Sequence, residues 1–185
     1  VARYYAELHS GKGISDMEKK IVSQPYYSSQ STYPPRYYQR NAVNRTVEAI
    51  ARGQQRLLLV MATGTGKTYT AFQIVYRLLR SDLKKRILYL ADRNILVDQS
   101  ILQDFAPLEK TIYKVDFSDK ACLSKIASRE VNFALYHQMV GQNDEEHFKQ
   151  IPAEYFDLII VDECHRGSAK EDSNWRKVLE YFSSA

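Results

Sequence analysis

The segment Met61-Ala62-Thr63-Gly64-Thr65-Gly66-Lys67-Thr68 constrains more than any other what this chain can fold into. A turn of small residues ending in Gly-Lys-Thr presents backbone N–H groups at the start of a helix. Together with the positive end of the helix dipole, these groups make a concave anion site. Such a loop has to leave a strand and enter a helix. The preceding Leu57-Leu58-Leu59-Val60 is a continuous apolar run, which predicts a strand buried in a parallel sheet. In residues 67–80, Ala71, Phe72, Ile74, Val75, Leu78 and Leu79 fall at helical spacing.

Each residue type in the loop has a use. Gly64 and Gly66 permit close approach of a phosphate, and Thr63 and Thr65 complete the cradle around it. Lys67 supplies a point charge for the β and γ phosphates, and the Thr68 hydroxyl is a ligand for the Mg²⁺ that nucleotide phosphates carry. The strict pattern places glycine where Met61 stands, so this is a variant loop. The competing reading is an ordinary strand-to-helix turn that contains Gly-Lys-Thr by chance.

The rest of the chain predicts an α/β fold. Its 185 residues, 44% of them hydrophobic, suffice for one well-packed domain and are few for two. Residues 1–36 lack sustained periodicity and carry Ser28-Ser29-Gln30-Ser31-Thr32 and Pro34-Pro35, so 1–34 reads as a linker or N-terminal strap, with tyrosines that favour packing on a surface. Residues 40–52 read as a helix with Val43, Val47, Ile50 and Ala51 on one face, ended by Gly53. A buried strand is expected at Arg86–Ala91 and a helix at Ile95–Phe105, stopped by Pro107. Further strands are expected at Thr111–Val115, Val131–Tyr136 and Leu158–Val161, with a helix at Ala121–Ala127. Gly141–Glu154 reads as a surface loop or short helix, and Trp175, Val178, Leu179 and Phe182 mark a last amphipathic helix. Strands alternating with helices imply a parallel sheet covered on both faces, with ligands at the carboxyl ends of its strands.

One of those strand ends is acidic. Leu158-Ile159-Ile160-Val161 runs into Asp162-Glu163-Cys164-His165. Beside a phosphate loop, Asp162 would hold Mg²⁺ through its water shell, and Glu163 would orient and deprotonate the water that attacks the γ phosphate. Alternatively, both carboxylates cap the following helix. Taken together with Lys67 and Thr68, they favour hydrolysis.

Composition excludes other classes. No apolar run approaches the roughly 18 residues of a membrane span. The N-terminus lacks a basic-then-apolar leader, so a cytoplasmic protein without membrane contact is expected. Cys122 and Cys164 show no metal-ligand spacing and read as reduced thiols. A net charge of +4 is compatible with a polyanionic partner but does not identify one.

The two motifs resemble motifs I and II of the superfamily 2 helicases and translocases, with the second box reading Asp-Glu-Cys-His. Pro35-Arg36-Tyr37-Tyr38-Gln39-Arg40 is similar to the adenine-reading Q motif, Leu90–Gln99 to motif Ia, and Ala134-Leu135-Tyr136-His137-Gln138 to the motif Ib region. The combination looks most like the restriction (R) subunit of type I restriction-modification enzymes, over residues 35 to about 183. The resemblance implies a three-layer RecA-like P-loop NTPase lobe at 35–185 that uses ATP and Mg²⁺. It implies that Gln39 bonds adenine with Tyr37 or Arg40 near the base, and that His165 couples hydrolysis to movement of a second lobe. By the same likeness Arg93, Asn94 and Gln138 lie near the DNA backbone. The bland alternatives are a solvated helix start for Gln39 and Arg40, a surface charge for Arg93, and an ordinary helix N-terminal residue for His165.

A motor of this kind is implied to translocate double-stranded DNA, to work with specificity and modification subunits, and to need a second lobe and a nuclease domain. Neither of those two is found in residues 1–185, so the chain reads as the first motor lobe of a larger protein. Other readings are the first lobe of another superfamily 2 DNA or RNA helicase, and a nucleotide-responsive docking module without turnover.

Overall fold

The computed structural model describes residues 16–29, 33–92, 98, 101, 103–141, 145–162 and 176–183. The chain divides into two compact units, one up to Leu83 and one from Lys84 onward.

The first unit is helical. It contains α1 (Asp16–Val22), α2 (Tyr37–Ala51) and α3 (Lys67–Arg80). The apolar stripe predicted over 67–80 is present: Phe72, Ile74, Val75 and Leu78 are buried in α3, where they share the interior with Val43 and Val47 of α2. Helix α2 starts three residues earlier than predicted and ends at Ala51, with Gly53 beyond it at φ 79°. The early start has a local cause. The backbone N–H of Arg36 donates to the Gln39 side-chain oxygen at 2.8 Å, a reach-back bond that satisfies an otherwise orphaned donor at the helix start.

Two expectations for this unit are corrected. The stretch read as lacking regular structure contains α1, a two-turn helix too short for apolar periodicity to show. It continues into a strap clamped by buried polar side chains of α3. The Gln73 amide donates to Tyr27 O at 3.1 Å and accepts from Tyr27 N at 2.9 Å. Arg77 donates to Ile21 O at 2.9 Å and to the Asn44 side chain at 2.8 Å. The Tyr27 ring sits edge-on to Phe72 and Tyr76. These bonds explain how Gln73 and Arg77 lie buried in a helix that sequence reads as simply amphipathic.

The second correction concerns Leu57–Val60. The run is not a buried strand: residues 54–60 pair with no strand among the described residues, and Leu58 and Val60 are 77% and 87% exposed. An apolar run states a capacity for burial. The capacity is realised only where neighbouring strands supply the ladder, and none of the four strands described here pairs with this one.

The second unit is built on a wholly parallel sheet in the order β2-β3-β1-β4, from β1 (Ile87–Ala91), β2 (Ile112–Lys114), β3 (Val131–Leu135) and β4 (Leu158–Val161). All four coincide with predicted strands to within two residues. The two central strands are buried throughout, as interior strands of a parallel sheet must be and with Asn132 of β3 included, whereas edge strand β4 is half-buried. The register pairs Leu90 with both Ala134 and Val161, so the carboxyl ends of β1, β3 and β4 lie level.

Helices α4 (Cys122–Ala127) and α5 (Tyr136–Val140) lie between strands in this unit and α6 (176–181) follows the last one, with two 3-10 turns at Ala106–Thr111 and His147–Gln150. Successive residues of β1 face opposite sides. Leu88 and Leu90 enter a core with Ala134, Met139, Phe148, Phe156, Val178 and Phe182. Tyr89 packs with Phe105 and Phe133. Asp157 anchors the start of β4 by accepting from the backbone N–H groups of Lys85 and Arg86.

The helix predicted at Ile95–Phe105 falls largely outside the described residues, as do Trp175 and Cys164. Cys122 is a free, buried thiol. Among the described residues no helix is long and apolar enough to cross a membrane, and no cluster of His, Cys, Asp or Glu could hold a metal ion by itself.

Candidate functional site

In the first unit the helix side of the phosphate loop keeps the geometry its residues predict, whereas no strand precedes the loop among the described residues. Gly64 and Gly66 stand at φ 77° and 80°, in the left-handed region that glycine occupies without strain. Gly66 is the N-cap of α3, so Lys67 opens the helix and the free N–H groups of its first turn face the loop. The loop is tied to itself: the Thr65 hydroxyl donates to Ala62 O at 2.6 Å, and the Thr70 N–H and hydroxyl both reach Gly66 O at 2.9 Å. Ala62, Thr63 and Gly64 are exposed, while Thr65 to Thr68 are half-buried. A Cβ placed on Gly64 would meet nothing within 4 Å. Open backbone at a helix N-terminus, flanked by an ammonium and a hydroxyl, fits a phosphate group.

The Q-motif candidates adjoin this loop. Gln39 is 7% exposed, and its Nε2 donates to Thr65 O at 2.9 Å while its oxygen holds the Arg36 N–H. The Tyr38 hydroxyl approaches the same Thr65 carbonyl at 3.4 Å. Gln39 thus braces the phosphate loop, and a base would have to engage the amide's remaining N–H and lone pair. Tyr37 lies 72% exposed with its ring edge-on to Tyr38, and Arg40 is exposed.

This brace makes the two glycines unequal. Alanine at either one carries the left-handed strain of about 1–2 kcal/mol. Only at Gly66 does the new Cβ come within 2.5 Å of Gln39 Nε2, an atom pinned in place by the Thr65 bond. Gly66→Ala is therefore expected to cost about 1–3 kcal/mol beyond Gly64→Ala, the usual range for an overpacked site. Denaturant unfolding of the two variants checks this, and equal midpoints would show that Gln39 does not restrain the loop.

In the second unit Asp162 follows β4 directly. Its N–H donates to Leu90 O at 2.9 Å, extending the ladder one residue past the strand. Two tyrosines that sequence reasoning did not single out hold it. The Tyr89 hydroxyl donates to Asp162 Oδ2 at 3.1 Å, and the Tyr136 hydroxyl donates to Asp162 O at 2.8 Å. Burial, and after it the charge of Asp162, push the Tyr89 hydroxyl well above the ordinary tyrosine range, so it remains a neutral donor. The only available signal was a tyrosine inside the apolar run Ile87–Ala91, where a buried hydroxyl must find a partner. A carboxylate oxygen is a hard donor of the kind that suits Mg²⁺.

Glu163 and His165, named with Asp162 from the sequence, lie outside the described residues, as do Arg93 and Asn94. Gln138 is half-buried in α5 and lines a cavity with Asp116, Phe117 and Glu145. Hydrogen bonds from Ser118 hold the Asp116 carboxyl below the usual range, so this cavity carries negative charge. His147, stacked on Phe117 and paired with Glu145 at 3.0 Å, lines it too.

Comparison with known proteins bears on the family and the fold of the chain. Residues 32–185 match the family model described as type III restriction enzyme, res subunit. The chain is 52% identical over 175 residues to the type I restriction enzyme EcoAI endonuclease subunit of Escherichia coli, covering 94% of this chain and 21% of that subunit. Among solved structures, a fragment assigned as the HsdR subunit of a type I restriction enzyme from Vibrio vulnificus YJ016 is similar, with TM-score 0.71 and 35% identity over 98% of this chain and 29% of that one. The UvsW helicase from bacteriophage T4 shares the fold at TM-score 0.63 and 19% identity, over 91% of this chain and 56% of that one. The chain thus spans about a fifth of the length of its EcoAI relative.

Proposed function

The chain belongs to the restriction-enzyme res subunit family, within the superfamily 2 helicase-like proteins and akin to type I R subunits, and from that membership we propose that it is the ATP-binding motor lobe of a type I restriction endonuclease. In this reading residues 35–185 form the first RecA-like lobe and 1–34 an N-terminal strap, within a longer cytoplasmic subunit. The lobe drives double-stranded DNA past the enzyme before cleavage, in company with specificity and modification subunits. The observation that carries the reading is the phosphate loop: left-handed Gly64 and Gly66, exposed backbone at 62–64, and Lys67 at the first helical position.

The roles follow from residue chemistry. The loop N–H groups and the Lys67 ammonium bind the phosphates, with Thr63 and Thr65 shaping the cradle. The Thr68 hydroxyl would be a ligand for Mg²⁺, and the Asp162 carboxylate would act on the ion through its water shell. When bound, Mg²⁺ supplies charge neutralisation at the β and γ phosphate oxygens. Glu163 positions the attacking water and accepts its proton. His165 links hydrolysis to lobe movement, and Gln39, with Tyr37 or Arg40, reads the adenine. Arg93, Asn94 and Gln138 contact the DNA backbone, Gln138 from beside the Asp116 and Glu145 carboxylates.

The test is ATP turnover by the complete subunit assembled with its partners, in the presence of different nucleic acids. Duplex DNA carrying an unmethylated recognition site is expected to stimulate turnover, and RNA is not. Stimulation by RNA or forked DNA alone would assign the lobe to another branch of the helicase superfamily.

A further inference from the structure

Asp162 is gripped at three atoms within the second unit. Its N–H is fixed by Leu90 O, its carbonyl by the Tyr136 hydroxyl, and its Oδ2 by the Tyr89 hydroxyl. Among the described residues Oδ1 receives no hydrogen bond. Tyr89 is anchored at a strand position, and Tyr136 at the first residue after a strand. Tyr89 is the middle residue of β1, 2% exposed, with its ring stacked on Phe133 at 4.6 Å and edge-on to Phe105 at 5.7 Å. Tyr136 directly follows β3 and opens α5. A ring locked by three-way aromatic packing has little freedom at χ1 or χ2, so its hydroxyl is a fixed point rather than a mobile partner.

We propose that Tyr89, seconded by Tyr136, is a positioning residue for the metal carboxylate: it fixes the Asp162 rotamer through Oδ2 and leaves Oδ1 for the water shell of the nucleotide-bound cation. The inference rests on the assignment of Asp162 to the metal made above. The physical ground is that groups orienting a metal-binding carboxylate govern affinity for the ion without touching it. A carboxylate at an edge strand otherwise rotates about χ1 and χ2, and each rotamer frozen by the ion lowers its affinity.

Tyr89→Phe isolates the effect, because it removes one hydroxyl and keeps the ring that packs on Phe133 and Phe105. The readout is Mn²⁺ binding to the complete subunit with a non-hydrolysable ATP analogue, followed by electron paramagnetic resonance, beside nucleotide affinity measured without metal. Tyr89→Phe is expected to weaken Mn²⁺ about 10-fold, at the lower end of what loss of such a partner costs, with metal-free nucleotide affinity unchanged. Tyr136→Phe, which frees only the carbonyl, is expected to weaken it less. A role confined to packing would leave the metal affinity where it was.

Wild-type Mn²⁺ affinity in Tyr89→Phe, alongside a weakened Asp162→Asn, overturns the positioning role and leaves the motor assignment standing. Wild-type affinity in Asp162→Asn overturns the metal assignment itself, and the positioning role with it. Should Tyr89→Phe fail to fold, Tyr136→Phe decides: unchanged metal affinity there removes the proposed grip.

Discussion

Lys67→Ala is expected to reduce ATP turnover by the complete subunit by about 10²-fold or more, the scale associated with removing one charge-stabilising donor from a reacting centre. Lys67 is the first residue of α3, immediately after left-handed Gly66, and is half-buried where the loop meets the helix. The loop N–H groups survive the substitution, so a weak phosphate site persists, but the full positive charge is lost. Charge on the γ phosphate oxygens is held less well both in the ground state and as the phosphoryl group transfers. The loss should therefore appear both as weaker Mg²⁺-ATP binding and as slower turnover. Steady-state ATPase assays with fluorescent-nucleotide titrations check it, and turnover within a few-fold of wild type would refute the assignment of the loop.

Glu163→Gln is expected to separate binding from chemistry. The substitution preserves size and hydrogen bonding but cannot accept a proton, and loss of a general base costs about 10²–10⁴ in rate. Nucleotide affinity should remain near wild type, since the proposed role of Glu163 is toward water rather than phosphate. Single-turnover hydrolysis beside equilibrium binding distinguishes this outcome from that of Lys67→Ala. Equal loss of binding in the two variants would mean that Glu163 serves the structure of the lobe and not the reaction.

The second unit was the more legible in sequence, for a physical reason. Strands β1 and β4 are short apolar runs each followed by an aspartate, and in a parallel sheet the run and the strand coincide. Asp162 could be placed because it follows such a run directly. The same rule failed at Leu57–Val60, where an apolar run has no ladder partner among the described residues and stands exposed. Buried polar groups were the other blind spot. Gln73 and Arg77 lie outside the apolar positions that mark α3 in the sequence, yet they hold the strap at Tyr27 and Ile21. The Gln39 amide holds Thr65, a pairing that sequence separation hides. Tyr89 read as one more apolar strand residue until its hydroxyl was found on Asp162. Each case turns on a hydrogen bond made across many residues of chain, which local pattern cannot carry.

That the lobe powers movement along DNA is tested most directly by displacement of a third strand from duplex DNA, at increasing distances from the recognition site, by the complete subunit with its partners. With Mg²⁺-ATP the lag before displacement is expected to grow in proportion to distance, and Lys67→Ala is expected to abolish displacement at every distance. A lag independent of distance, or displacement that survives Lys67→Ala, would contradict the account.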